Sequence, residues 1–328
     1  MSPPIIPASF FGIVLGLVGL GSAWRAATRL WALPAAIAES LMAFGAMVWA
    51  LLVILYGMKW LLDTEEALAE ISHPIQCCFV SLVPATTTLM GLVVFPYLPT
   101  AALMLWVMGT VGQLAFVTWR AAGLWRGGMN LESVTPVLYL PAVAANLISS
   151  IVAGALGLTD WGKLFLGMGV LSWLAIESVL LFRLWMASPL PPGLRPTLGI
   201  QTAPPVVAAV AYLSNAPVPE DFIVSGLWGY GLLQLLFALR LLPWVLQQPF
   251  GASYWGYSFG ATAISVAALQ MALRAPDGIG PKVALPIFVF SNVAIALLLS
   301  GTLVRLWQRR LLPAPLTDSS KATTPIQR

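Results

Sequence analysis

The side chains that ordinarily make and break bonds are scarce in this 328-residue chain. Its single histidine, His73, stands beside Pro74 and lacks the partners that a metal site or a nucleophilic triad requires, so it reads as part of a helix entry. Cys77 and Cys78 are adjacent and cannot staple distant parts of the chain together. No GxxxxGK[ST] phosphate loop is present, which argues against an ATP-driven pump. An enzyme is therefore not expected, and the sequence calls for no cofactor, no metal and no nucleic acid. The most informative stretch is 250–273, FGASYWGYSFGATAISVAALQMAL, which is apolar enough to cross a bilayer. Its centre places Gly256, Ser258, Gly260, Ala261 and Thr262 around one bulky ring, Phe259. A helix facing lipid has no need of so many small and hydroxylated residues, whereas one packed against others or lining a narrow passage does. On such a helix Phe259 is the only large obstacle.

The elements that must surround this stretch follow from composition. Hydrophobic residues make up 59% of the chain and charged residues 9%, with a net charge of +4, far from a soluble domain in which about a quarter of residues are charged. The chain reads as a polytopic membrane protein. No Lys or Arg precedes the first apolar run, so that run reads as a retained span, not a secretory signal. Apolar runs of roughly 20 residues give ten spans: 7–25, 34–62, 74–95, 99–126, 136–157, 161–187, 197–215, 221–247, 250–273 and 281–308. Residues 1–311 read as one transmembrane domain and the Pro-, Ser- and Thr-rich 312–328 as a disordered tail.

Two kinds of span alternate. Even-numbered spans are longer and carry most of the fourteen tryptophans, while odd-numbered spans are slighter and interrupted by Gly12 and Gly16, Pro84, Pro141, Pro204 and Pro205, then Gly256 and Gly260. The steps Pro84 to Pro141, Pro141 to Pro204 and Pro204 to Gly260 are 57, 63 and 56 residues. A second ladder keeps the same period, with a base close to a Trp near the far end of each even span: Lys59, Arg120, Arg183, Arg240 and Arg305, at steps of 61, 63, 57 and 65. A period near 60 with two spans per unit predicts an all-α membrane protein of five tandem hairpins, related by an axis along the membrane normal. Five hairpins can close into a quasi-fivefold ring, with the odd, slender helices lining a central pore and the even, Trp-rich helices facing lipid.

With ten spans both termini share one side, and that side holds eleven basic residues against five on the other, which places both termini in the cytoplasm. The five Trp-flanked bases then read as interfacial anchors on the cytoplasmic face, and they also make the inner mouth attractive to anions. The acidic stretch with Glu65, Glu66 and Glu70 reads as a solvated loop. Glu177, the one deep ionisable residue, falls on an even span and reads as paired inside the bundle, with Arg240 at similar depth as a candidate partner. The odd spans contain no Asp, Glu, Lys, Arg or His over 7–24, 74–95, 136–157, 197–215 and 250–273. A proton-coupled carrier usually keeps such a group in its pathway, and a cation channel shows acidic rings or a carbonyl filter. What remains is a neutral, narrow conduit suited to small, readily dehydrated anions moving passively.

The strings GIVLGL, HPIQCCFVSLVPATTTL, GQLAFVTWR, YLPAVAANL, LGIQTAPP with VAAVAYLS, LWGYGLLQLLFALRLLPW and WGYSFG occur in this order along nearly the whole chain. In them the chain resembles the tellurite-resistance/dicarboxylate transporter family, which includes the bacterial TehA proteins and the plant guard-cell slow anion channel. The resemblance implies five hairpins about a central pore, a homotrimer with one pore per subunit in the bacterial inner membrane, and passive conduction of small inorganic anions of the chloride and nitrate class. It also implies that Phe259 plugs the pore at mid-membrane as the gate and that Gly12 is a pore glycine. Val14 departs from the pattern, since close bacterial relatives carry Pro there. On this reading the pore-lining set is Gly12, Gly16, Pro84, Pro141, Pro204, Gly256, Gly260, Thr262, Ser265 and Val266, with Thr262, Ser265 and Val266 continuing the face of Phe259. The family also holds C4-dicarboxylate carriers and sulfite exporters, so a proton-linked carrier or exporter of dicarboxylate, sulfite or tellurite stands as the alternative.

Overall fold

In hydrocarbon every backbone N–H and C=O must find its partner within the protein, which drives runs of about 20 apolar residues into helices. A computed structural model describes residues 6–216 and 222–312, and among them every regular element is helical. Among the described residues, nine helices are long and apolar enough to cross a membrane. They fall into the two expected kinds. Four are Ala8–Trp31, Cys77–Val94, Pro136–Ala155 and Ala252–Arg274, and 72–78% of their most apolar window is buried inside the protein. The other five, Ala35–Leu62, Pro99–Leu124, Thr159–Met186, Phe222–Val245 and Gly280–Trp307, bury only 22–33%.

The regular helices are α1 Gly12–Trp31, α2 Ala35–Leu62, α3 Thr64–Ser72, α4 Cys77–Val80, α5 Leu82–Val94, α6 Pro99–Leu124, α7 Ala145–Ala155, α8 Thr159–Met186, α9 Ala203–Asn215, α10 Phe222–Val245, α11 Gly256–Arg274 and α12 Gly280–Trp307. The expected seventh span, 197–215, is the exception to the sequence reading. It consists of a 3-10 segment, Pro192–Thr202, running into a 13-residue α9, too short by itself to cross. Pro204 and Pro205 explain the break, because proline supplies no N–H and favours the first helical turn. The same device recurs. The short 3-10 turn Ala8–Phe11 leads into α1 and Ala252–Trp255 into α11, while the π segment Leu140–Ala144, with Pro141 in its first turn, precedes α7. Among the described residues, α2, α6, α8 and α12 carry no such preface.

α1 packs against α2, α5 and α11; α5 against α6 and α7; α7 against α8 and α9; α9 against α10 and α11; and α11 against α12. Small residues permit the closest of these approaches. A Cβ at Gly19 would collide with Thr262, one at Gly16 would lie 2.7 Å from the Ser258 Cβ, and one at Gly260 would collide with Thr202. Tryptophans divide by position along the outer helices. Trp125, Trp185 and Trp307 are exposed near helix ends, whereas Trp106, Trp173 and Trp228 turn inward and are buried. The Trp106 and Trp228 indole N–H groups donate to Ser149 O and Ile264 O at 3.0 and 3.1 Å, so part of the tryptophan ladder ties outer helices to inner ones and does not face lipid. Of the tail expected to be disordered, residues 313–328 lie outside the described residues.

Candidate functional site

α11 presents Phe259 one turn after its start, and the ring is 9% exposed. Phe259 is the single residue shared by the linings of two cavities. The smaller has a volume of about 40 Å³ and is lined by Gly12, Leu15, Leu82, Tyr139, Leu140, Pro204, Val207 and Gly256, among others. At ~10–15 Å³ per water-sized particle, it admits a few such particles at most. No Asp, Glu, Lys, Arg or His lines it. The larger, of about 510 Å³, lies on the other side of the ring and includes Gly19, Thr262, Ala263, Val266 and Gln270 in its wall, together with Arg25, Arg29 and Arg274. A third cavity of about 330 Å³ shares Ser9, Phe79, Ala252 and Ser253 with the smaller one and adds Lys59, Glu66, Glu70 and Arg310. The three spaces therefore run in sequence, with Phe259 between the second and the widest.

The polarity of the helices differs along this line. The small cavity is lined from the starting turns of all five slender segments: Ser9 ahead of α1 and Gly12 at its start, Phe79 and Leu82 around the start of α5, Tyr139, Leu140, Val143 and Ala144 before α7, Ile200, Ala203 and Pro204 at the start of α9, and Ala252, Ser253, Trp255 and Gly256 at the start of α11. Helix N-termini carry unsatisfied N–H groups and about half a positive charge each, which favours an anion in that space. The wide cavity is lined from the C-terminal turns of the same helices.

The sequence-expected residues are distributed as follows. Gly12, Pro204, Gly256 and Phe259 line the small cavity; Thr262 and Val266 line the wide one. Gly16, Pro84, Pro141, Gly260 and Ser265 line none of the three, and Gly16 and Gly260 instead permit helix contact. Thr262 donates its hydroxyl to Ser258 O at 3.0 Å, so towards the cavity it offers an acceptor and a methyl group. Among the Trp-flanked bases, Arg240 is exposed and Arg305 half-buried, and Arg120 donates to Pro74 O at 2.9 Å. Lys59 and Arg183 are buried within the protein. Lys59 instead pairs with Glu70 at 2.9 Å, and Glu70 also accepts from Tyr56 OH at 3.1 Å and from Ala8 N at 2.8 Å. The acidic loop is thus no solvated loop at Glu66 and Glu70, which are buried; α3, started by Asp63 accepting from Glu66 N, turns them inward. His73 sits at the helix entry expected of it, its Nδ1 accepting from Ile75 N and Gln76 N at 3.1 Å each.

Glu177 corrects the sequence reading. Its carboxylate is held by neutral donors from four elements and not by Arg240: Tyr139 OH, Trp173 Nε1 at 2.9 Å, Gln201 Nε2 at 2.9 Å and Tyr230 OH at 3.1 Å. Four directed donors satisfy a buried carboxylate without a cation, a cluster that spacing alone does not announce because its members come from distant parts of the chain. Arg25, Arg29 and Arg274 were also missed as site residues. Counted as basic residues of the outer side, they gave no sign of facing a common cavity.

The family described as voltage-dependent anion channel, SLAC1, matches residues 6–303. The chain is 38% identical over 302 residues to the "Tellurite resistance protein TehA homolog" of Haemophilus influenzae, covering 92% of this chain and 91% of that one. It is 23% identical to the "Guard cell S-type anion channel SLAC1" of Arabidopsis thaliana, over 92% of this chain and 56% of the plant protein. An "Uncharacterized transporter MJ0576" of Methanocaldococcus jannaschii is 23% identical over 68% of this chain and 71% of its own length. An uncharged constriction between two wider cavities, walled by apolar membrane-length helices, accords with these matches: the chain belongs to the SLAC1 voltage-dependent anion channel family.

Proposed function

We propose that this protein is a passive channel for small monovalent anions, with Phe259 as a steric gate. The observation that carries the reading is the position of that one ring, the sole residue common to the 40 Å³ and 510 Å³ cavities. In this reading Pro192–Thr202 and α9 together make the tenth span, and the cyclic order of contacts α1, α5, α7, α9, α11 is the inner wall of a five-hairpin ring. On the same reading residues 1–311 form one transmembrane domain and both termini are cytoplasmic by the charge count, while a homotrimer in the bacterial inner membrane is what the family resemblance implies.

Magnitudes favour weakly hydrated ions. Five helix N-termini contribute about 0.3–1 kcal/mol each to a nearby anion, whereas full dehydration in a low-dielectric site costs tens of kcal/mol. The field at the small cavity therefore compensates only part of a hydration shell. Anions that part with water readily, nitrate before chloride and chloride before sulfate, pass best, and weak binding lets them leave again. Opening requires rotation of the Phe259 ring. Reversal potentials of purified Phe259→Ala protein in planar bilayers under asymmetric salts test the reading: a shift to the chloride potential is expected, and a shift to the cation potential would falsify it.

A second reading, the proton-linked carrier of a dicarboxylate or oxyanion, draws on Glu177. Its carboxylate is bonded to Tyr139, whose side of the chain lines the small cavity, and so stands one residue behind the pathway. Saturable counterflow driven by a pH gradient in proteoliposomes would support the carrier and contradict the channel.

A further inference from the structure

The wide cavity poses an electrostatic problem for any anion that uses it. The C-terminal turns of α1, α5, α7, α9 and α11 all reach its wall. Each helix end carries roughly −0.5 charge, so five together present about −2.5 to an approaching anion. Two of the three arginines in the wall are spent on those ends. Arg25 donates Nη1 to Leu92 O at 2.8 Å and Nη2 to Val93 O at 3.3 Å, the last carbonyls of α5. The same guanidinium forms a fork with Glu39 at 2.8 and 2.7 Å, which offsets its charge. Arg274 donates to Ala216 O at 2.9 Å and to Leu213 O, the last carbonyls of α9. Arg29 differs. It is exposed at the cavity mouth and has no hydrogen-bond or ion-pair partner among the described residues.

Set against about −2.5 from the helix ends, three guanidinium groups less the Glu39 carboxylate leave the mouth within about one charge of balance. We infer that Arg25 and Arg274 act as caps occupied by the carbonyls at the ends of α5 and α9, and that Arg29 is the specificity-determining residue whose charge makes this vestibule an anion-collecting site. The inference rests on the anion-channel reading above and adds to it a second place, remote from Phe259, at which charge selection occurs. Its ligand class is the small inorganic anion, still hydrated, because about 510 Å³ leaves room for the hydration shell that the small cavity removes.

The test introduces a thiol at the mouth of an open pore. Cys77 and Cys78 are buried, so Arg29→Cys in a Phe259→Ala background supplies the accessible thiol, and the Phe259→Ala parent treated alike is the control. At low ionic strength (~10 mM, Debye length ~30 Å), Arg29→Cys is expected to lower chloride conductance roughly threefold for anions entering from this side. A cationic methanethiosulfonate reagent should restore it, an anionic one should lower it further, and ~1 M salt should erase the differences. Equal conductance for the unmodified, cationic and anionic forms, with the parent still anion-selective, overturns the inference and leaves the channel reading standing. A parent without anion selectivity overturns both.

Discussion

The two sides of Phe259 are built from the same five helices, yet they solve different problems. On the side of the helix starts, the wall is uncharged, about 40 Å³ is available, and the favourable field comes from backbone dipoles, with the Glu177 carboxylate held one residue behind the wall by neutral donors. On the side of the helix ends, about 510 Å³ is available and three guanidinium groups stand in the wall beside the negative ends of those dipoles. Helices that start at one cavity and end at the other cannot avoid this asymmetry, because each lays its positive end on one side and its negative end on the other. Side-chain charge is placed where the backbone field has the wrong sign for an anion and left out where the field is already favourable.

The sharpest break of this comparison is to remove the partition. Phe259→Ala is expected to raise anion conductance by at least about tenfold, since the ring stands in the walls of both the narrow and the wide cavity; unchanged single-channel currents in folded protein would sink the gate. Next in size is a charge placed where the wall has none. Val207→Asp in the open background sets a carboxylate in the small cavity, and one like charge at ~4 Å costs about 4 kcal/mol in an effective dielectric near 20. Anion flux should drop more than tenfold, recover on acidification as the carboxylate protonates, and remain near the parent value in Val207→Asn. Equal flux in the Asp and Asn forms would show that ions do not pass this residue.

Smaller effects probe the third cavity. Lys59 and Glu70 are both 1% exposed in their side chains, so Lys59→Met leaves a buried carboxylate unpaired and should lower stability by about 3–5 kcal/mol. Adding Glu70→Leu should recover much of that loss, as followed by thermal unfolding in detergent. The smallest effect belongs to His73. Burial holds its imidazole below the usual range, and its Nδ1 accepts two backbone N–H groups, which only the neutral ring can do. Stability is complete above the unfolded pKa of about 6.5 and falls as pH drops through the lower folded value. His73→Asn accepts the same bonds without titrating and is expected to flatten the fall in Tm between about pH 7 and pH 5 by about 1–2 °C.

Much of the architecture was legible because it is written as periodicity. The spacing of Pro84, Pro141, Pro204 and Gly260 and the separate ladder of bases both report a unit of two helices, and the buried fractions of the helices follow that division. Single residues were less legible. Gly16 and Gly260 share residue type and helix with Gly12 and Gly256, yet a small residue serves helix contact and cavity lining equally well, and only neighbours distinguish the two. Lys59 resembled an anchor because the partner that buries it, Glu70, lies on the short α3 whose inward turn leaves no apolar signature.

The sequence by itself determined that the chain reads as membrane-crossing, that slender and stout helices alternate, and that the Phe259 ring lies among small residues in a slender set free of charge over 7–24, 74–95, 136–157, 197–215 and 250–273, since hydropathy, period and the absence of charge are properties of the chain read in order. Tertiary structure alone decided which side of that ring is narrow, which three arginines meet in one cavity, and which four donors meet on Glu177. These are juxtapositions of residues separated by tens to hundreds of positions, and distance along a chain carries no information about distance across a helical bundle until the helices have packed.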